Sequence, residues 1–370
     1  MSDKQTIIRA AVLDQYCDRF IFEDLELGPF RDDEVRVALV GTGVCHTDAV
    51  ARAGDYPVPT PIVLGHEGAG VVEAVGADVT EVRVGDHVVL SFVACGACST
   101  CRAGRPALCQ FAFERNFLAA RADGTSTLHR MDGTAVHGLF FGQSSFSTRV
   151  IAPASSVVVI DHEFDLRLAG PLGCGFQTGA GAVLNSLQPE SGSSIAIFGT
   201  GAVGLCAVMA AKIAGCTTII AVDRHAARLD LAREVGATAT VRAGETDPVE
   251  AIRSITGGGT EYALDTTGNP MVVRQAVDAL RVAGVCGLIG AARLGTEVSL
   301  DLTHMLFGRV FRGIIEGDSI PRKFIPELIN YHQAGKFPIE RLVQFFDFEN
   351  LEEAMAASER GEAVKPVLLF

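Results

Sequence analysis

The stretch Ser194-Ile-Ala-Ile-Phe-Gly199-Thr-Gly201-Ala-Val-Gly204, followed by an apolar segment and then Thr217-Thr-Ile-Ile-Ala-Val-Asp223, decides how the chain is read. Its order is strand, glycine turn, helix, strand, acid. Gly199 permits a tight turn, Gly201 lets the backbone approach a pyrophosphate, and Gly204 lets the helix pack closely on its strand. The amides opening the helix at Ala202 and Val203 face negative charge. Asp223, ending the second strand, is placed to accept hydrogen bonds from an adenosine ribose. A glycine triplet alone is weak; flanking strands and an acid at this distance make it specific for a dinucleotide.

Outward from this unit, strands and helices alternate from 176 to 317. Candidate strands are Ile195–Gly199, Thr217–Val222, Thr240–Val241, Tyr262–Asp265, Val285–Ile289 and Val310–Ile314, with helices such as Ala226–Val235 and Val273–Arg281 between them. This predicts a doubly wound parallel sheet, an α/β fold. Upstream the pattern changes. Ile7–Leu13 and Glu34–Val40 alternate with period two, and Val71–Val75 and Asp86–Leu90 are further short strands between Gly/Asp turns, so a mainly β domain is expected. The tail, with a helix near Pro326–Ala334 and an apolar end at Val367–Phe370, is expected to rejoin that domain. The expected division is 1–175 with 318–370, and 176–317.

At 370 residues, two domains are likelier on length than one. The net charge of -13 argues against nucleic acid or anionic membrane as partner, since both are polyanions. The uncharged run from Ser191 to Ala211 holds the phosphate turn, so it reads as buried strand and helix rather than a membrane span. No basic n-region with an apolar core opens the chain, so a cytoplasmic protein is expected. In a reducing compartment its ten cysteines bind metal or fill cores more often than they pair.

Cys95, Cys98, Cys101 and Cys109 lie in one short loop rich in turn formers, Gly96, Ser99, Gly104 and Pro106 among them. Four thiolates at this spacing close a tetrahedral zinc cage with no open position, a structural site. An iron–sulfur cluster or disulfides are the alternatives. Cys45, His66 and Cys174 are far apart in sequence, but each sits beside glycines. Two sulfurs and an imidazole would leave a fourth zinc position free, the pattern of a catalytic site. Taken singly, each is more simply a core residue.

Gly-Val-Cys45-His-Thr-Asp48, Leu-Gly65-His66-Glu67-Gly, the four-cysteine loop, Gly-Cys174-Gly and the glycine turn, in this order, resemble the zinc-dependent medium-chain alcohol dehydrogenases over essentially the whole chain. Within that family the chain looks most like the bacterial aryl-alcohol (benzyl-alcohol) dehydrogenases, through Phe140–Phe146, Gly173–Gly181 and Glu316–Glu327. The resemblance implies a GroES-like catalytic domain beside a Rossmann domain, two zinc ions and NAD. It implies that Cys45, His66 and Cys174 bind the catalytic zinc, with Glu67 as a transient ligand. Thr47 would accept the substrate proton and Asp48 would orient His66. His46 and Lys365 would reach the cofactor phosphates, Asp223 and Arg228 the ribose, and Thr178 the nicotinamide. Phe92, Phe140 and Phe141 are candidates for an apolar substrate wall.

The implied activity is oxidation of apolar aromatic or allylic primary alcohols to aldehydes, reversible, by hydride transfer from a zinc-activated alcohol, with terpenoid or aliphatic primary alcohols as the alternative substrates. Asp223 would repel the 2'-phosphate of NADP, although Arg224 beside it could soften that preference. The family often places a histidine three residues beyond the hydroxyl; here that position is Val50, so the proton needs another exit. A homodimer or homotetramer is expected, with 285–315 near the sheet edge as interface. A zinc-free quinone or enoyl reductase would not need the metal triad, a polyol or glutathione-adduct dehydrogenase would suit a more polar wall, and a nucleic-acid-binding zinc knuckle would need a basic stripe.

Overall fold

The computed structural model describes residues 6–370. They divide into two compact units: the chain up to Cys174 with Ile320–Ile329 and Glu340–Phe370, and Gly175–Ser319 with Asn330–Ile339. The return to the first unit after 318 is therefore interrupted, with ten residues, 330–339, grouped with the second.

The first unit is built on two mainly antiparallel sheets. One runs Ile62–Val63, Thr6–Leu13, Ile21–Leu27, Leu128–Arg130, Ala135–Val136. The other runs Val157–Val159, His87–Leu90, Gly68–Val75, Glu34–Gly43, Lys365–Leu369, Val343–Asp347, with Arg149–Pro153 also paired to Glu34–Gly43. The alternation of Glu34–Gly43 places Val35, Val37 and Leu39 in a core with Val72, Val88 and Leu90. The C-terminal strand pairs antiparallel with Glu34–Gly43, Val367 opposite Gly43. The last residues of the chain are thereby brought beside the loop that carries Cys45.

The second unit holds a six-stranded parallel sheet in the order Ala239–Arg242, Thr218–Asp223, Ser194–Phe198, Thr260–Asp265, Leu280–Leu288, Val310–Gly313. In sequence order this is 3-2-1-4-5-6, the doubly wound arrangement. The uncharged run becomes the strand Ser194–Phe198 and the helix Ala202–Ile213, whose residues 204–211 are all buried. No helix among the described residues is long and apolar enough to cross a membrane. Two helices begin earlier than expected. Pro270–Asp278 starts at a proline, capped by the Asn269 side chain on the Met271 amide, where periodicity alone pointed to Val273. Pro321–Gln333 likewise starts on a proline and keeps Pro326 inside it, so Pro326 is not a start signal.

Candidate metal and dinucleotide sites

Cys45 caps the helix His46–Ala53, and Asp48 at its third position sends its carboxylate back to the Cys45 amide, Oδ2 accepting at 3.0 Å. The other oxygen accepts from the Gly65 amide at 3.1 Å and meets His66 Nδ1 at 2.9 Å. One buried carboxylate thus fixes two segments that supply metal ligands. With Nδ1 engaged by Asp48, Nε2 is the His66 atom left to bind a metal. That nitrogen is buried and makes no hydrogen bond. It shares a cluster with the sulfurs of Cys45 and Cys174 and the Glu67 carboxylate, all ligand atoms lying within 4.8 Å of one another. An orphaned buried imidazole nitrogen facing two thiols fits a zinc ion, and the three protein ligands leave a position for substrate.

The electrostatics agree. The Cys45 thiol is held well below its ordinary pKa, first by the hydrogen bond with Cys174, against the opposing effect of burial. Burial alone would lower His66, but Asp48 and the Cys45 sulfur reverse this and hold it well above the ordinary histidine value. The lowered Cys45 favours the thiolate a metal needs, and the imidazole gives up its proton when the cation binds. Burial raises Glu67, and Lys365 opposes it.

Lys365 has internal partners. Expected at the cofactor phosphates, it is buried, with Nζ donating to both Glu67 oxygens at 3.0 and 2.9 Å and to the Val44 carbonyl at 3.1 Å. Pairing with Gly43 through the strand that ends the chain is what carries it there. Glu67 in turn fills the space beside Gly43, where an added Cβ would lie 1.9 Å from its Oε2. The structure thus pairs Glu67 with an internal counter-ion, a contact that spacing in the sequence gave no sign of.

Aromatic rings close one side of the metal cluster. Phe141 stacks on His66 with centroids 4.6 Å apart, and Phe140 meets it edge-on at 5.6 Å. Phe117 contacts both at 5.1 and 5.8 Å, and Tyr56 meets Phe117 at 5.6 Å. Phe117 and Tyr56 extend the wall, Phe117 from the aromatic-rich segment 110–150 and Tyr56 from outside it. Phe92 is buried in the same apolar core. Its neighbour Val93 is held by Asn116, which accepts from the Val93 amide at 2.8 Å and donates to its carbonyl at 3.0 Å. Thr47 is half-buried, His46 exposed and Val50 buried on the helix behind Cys45.

Cys95, Cys98, Cys101 and Cys109 form the second cluster, their sulfurs within 4.8 Å of one another. All are free thiols. Backbone amides point inward: those of Ala97 and Cys98 donate to Cys95 Sγ at 3.4 and 3.2 Å, and that of Cys95 to Cys109 Sγ at 3.3 Å. Amide donors around sulfur favour thiolate, and the Thr100 hydroxyl with neighbouring amides pulls Cys98 down to about 5. Burial pushes Cys101 up to about 12, so its proton is displaced when metal binds. Four converging sulfurs with no disulfide fit a structural zinc.

In the second unit Gly199 takes φ +88°, and a Cβ at Gly204 would lie 1.9 Å from the Gly199 carbonyl oxygen, so the helix start lies hard against the turn. A Cβ at Gly201 would meet nothing within 4 Å, so the space the pyrophosphate needs is open. Ala202 and Val203 follow at the helix start. Asp223 Oδ2 accepts from the Thr200 amide and hydroxyl at 2.7 and 2.8 Å, and Oδ1 from the His225 amide at 2.9 Å. Arg228 lies in the first turn of the next helix with its Nε buried and unbonded. Thr178 is buried, its hydroxyl 3.4 Å from Glu316 Oε2. The open glycine turn with its ordered acid fits a nicotinamide–adenine dinucleotide.

Residues 31–162 match the alcohol dehydrogenase GroES-like domain and residues 202–331 the zinc-binding dehydrogenase family. Geraniol dehydrogenase from Castellaniella defragrans is 44% identical over 100% of both chains. A crystal structure of an alcohol dehydrogenase zinc-binding domain protein from Burkholderia ambifaria superposes with a TM-score of 0.97 at 49% identity, covering 99% of this chain and 100% of that one. Benzyl alcohol dehydrogenase from Acinetobacter calcoaceticus superposes with a TM-score of 0.95 at 44% identity over 99% of each. The chain belongs to the zinc-binding medium-chain alcohol dehydrogenases, with a GroES-like unit followed by a Rossmann-type one. It is a zinc-dependent alcohol dehydrogenase, and the cofactors of the family, zinc and NAD, fit the residues described above.

Proposed function

We propose that the enzyme oxidises apolar primary alcohols of the aromatic or allylic class to aldehydes with NAD, and runs in reverse when NADH is abundant. The observation that carries this reading is the aromatic wall on His66: Phe140, Phe141, Phe117 and Tyr56 in edge and stacked contact beside the metal ligands. Such a wall rewards a flat or unsaturated substrate and leaves hydroxyl groups of a polyol unpaired. Likeness to a geraniol and a benzyl alcohol dehydrogenase supports both halves of the class.

When bound, zinc supplies Lewis acidity toward the alcohol oxygen and the nicotinamide supplies the hydride acceptor. Cys45, His66 and Cys174 would hold the metal, with Asp48 fixing the His66 ring and Glu67 held ready on Lys365. Thr47 receives the substrate proton and hands its own on, because a neutral hydroxyl cannot keep a second proton near neutral pH. Val50, buried and apolar, cannot take it, so water carries it out. His46 is assigned to the pyrophosphate, and Thr178 to the nicotinamide. Asp223 favours NAD over NADP by charge.

The outer strand Val310–Gly313 leaves a sheet edge beside exposed Leu302, Leu306 and Phe307, which suits pairing with a second copy of the chain. We assign a homodimer, or a homotetramer built from it, located in the cytoplasm, with no nucleic acid or membrane partner. The test is kcat/KM for benzyl alcohol, geraniol and ethanol with NAD. A preference of about 100-fold or more for the first two is expected from the apolar area they bury. Equal turnover of ethanol would refute the assigned class.

A further inference from the structure

Resting on the dinucleotide reading above, we infer that Thr266 is a positioning residue for the cofactor: its hydroxyl locks the Gly199–Thr200 peptide in the orientation that admits the pyrophosphate. Thr266 is the first residue after the strand Thr260–Asp265, which lies beside Ser194–Phe198 with Asp265 opposite Phe198. These are strands 4 and 1 of the sheet, and the gap between their ends is the point where the winding reverses.

The Thr266 amide donates to the Phe198 carbonyl at 3.0 Å. Its hydroxyl lies 2.9 Å from that same oxygen and 3.1 Å from the Gly199 carbonyl. On the other side of the same peptide, the Thr200 amide donates to Asp223 at 2.7 Å. The Gly199–Thr200 peptide is therefore held at both ends of its dipole, its amide by Asp223 and its carbonyl by the Thr266 hydroxyl, which shares its one hydrogen with the nearer Phe198 carbonyl.

A lock is needed here because Gly199 is a glycine at φ +88°. Glycine tolerates many backbone conformations, so Gly199 by itself does not fix the orientation of the following peptide. Rotation would swing a carbonyl oxygen, the negative end of the dipole, into the space a pyrophosphate must occupy. Thr266 also fills the position beside Gly199, where an added Cβ would meet its hydroxyl at 2.4 Å. Shape and hydrogen bond can be separated by substitution, since valine keeps the branched outline and lacks the donor.

The experiment is calorimetric titration of zinc-loaded protein with ADP-ribose, for wild type, Thr266→Val and Thr266→Ser, alongside NAD kinetics. Loss of one hydrogen bond to the turn is expected to weaken ADP-ribose by about tenfold in Thr266→Val, with the loss falling on KM for NAD more than on kcat. Thr266→Ser, which keeps the hydroxyl, retains the wild-type affinity. Equal affinity of Thr266→Val and wild type overturns the inference, and so does an equal loss in Thr266→Ser, which would make packing the cause. If Thr266→Val does not fold, Thr266→Ala against Thr266→Ser makes the same comparison. Wild type that fails to bind ADP-ribose would instead overturn the dinucleotide reading, and this inference with it.

Discussion

Replacing Asp48 should strip the catalytic metal and leave the structural one. Asp48 is fully buried and meets three donors: the Cys45 amide at 3.0 Å, the Gly65 amide at 3.1 Å and His66 Nδ1 at 2.9 Å. In Asp48→Ala all three lose their acceptor, at about 1–3 kcal/mol each for a buried unsatisfied donor, so a total of at least about 3 kcal/mol is expected. Asp48→Asn is subtler. Its carbonyl can still serve His66 and Gly65, but its NH2 group faces the Cys45 amide, donor against donor. The tautomer survives while the ligand loop of Cys45 is pushed away, and the charge that made the ring basic is gone. Partners of this kind cost about 10–100-fold in metal affinity when removed. The assay is zinc per chain after dialysis against a graded chelator, with alcohol oxidation measured on the same samples. Asp48→Asn should fall from two zincs to one at a chelator concentration that leaves wild type with two, and lose activity in step. The four-cysteine site has no contact with Asp48 and keeps its ion. A variant that holds two zincs across the same range would refute the reasoning.

Gly173→Ala places a Cβ 2.0 Å from the Leu90 carbonyl, a backbone atom that cannot swing aside, so a loss of about 1–3 kcal/mol in urea unfolding is expected together with displaced Cys174 and lower zinc occupancy. Phe141→Leu removes the ring stacked on His66 and should cut the preference for benzyl alcohol over ethanol by roughly fivefold, the worth of about 1 kcal/mol of aromatic contact, read from kcat/KM. Glu261 joins two strands of the parallel sheet by accepting from the Ser194 amide at 2.6 Å and hydroxyl at 2.8 Å. Burial works to raise its pKa, but these bonds prevail and hold it below the ordinary 4.5. A depressed carboxyl contributes stability above its unfolded pKa and loses it as pH falls through the folded one. Wild type should thus exceed Glu261→Gln by about 1 kcal/mol at pH 7, with the difference shrinking as pH falls below the ordinary 4.5 in urea titrations.

The parallel sheet was legible because each of its signals is local. A glycine turn, a strand on either side and an acid at the next strand end all fall within thirty residues, and the backbone geometry that requires Gly199 and Gly204 is written in those residues alone. The cysteine cage was legible for the same reason. Cys45, His66 and Cys174 were legible only through family order, because no spacing links residues that far apart. The partner of Lys365 was not legible by either route. Its ammonium donates to Glu67, 298 positions away, through the register of the final strand against Gly43. Asn116 was passed over because an irregular segment carries no period from which facing can be read. Its importance comes from the Val93 backbone it holds. Thr266 escaped notice for a related reason: its partners lie on a neighbouring strand 68 and 67 positions upstream.

The most direct test of the account is metal content measured together with NAD-linked oxidation of benzyl alcohol and geraniol, on wild type and on Cys174→Ser. The account expects two zincs per chain with turnover in wild type, and one zinc with no turnover in the variant. Full activity in wild type holding one zinc or none would contradict it.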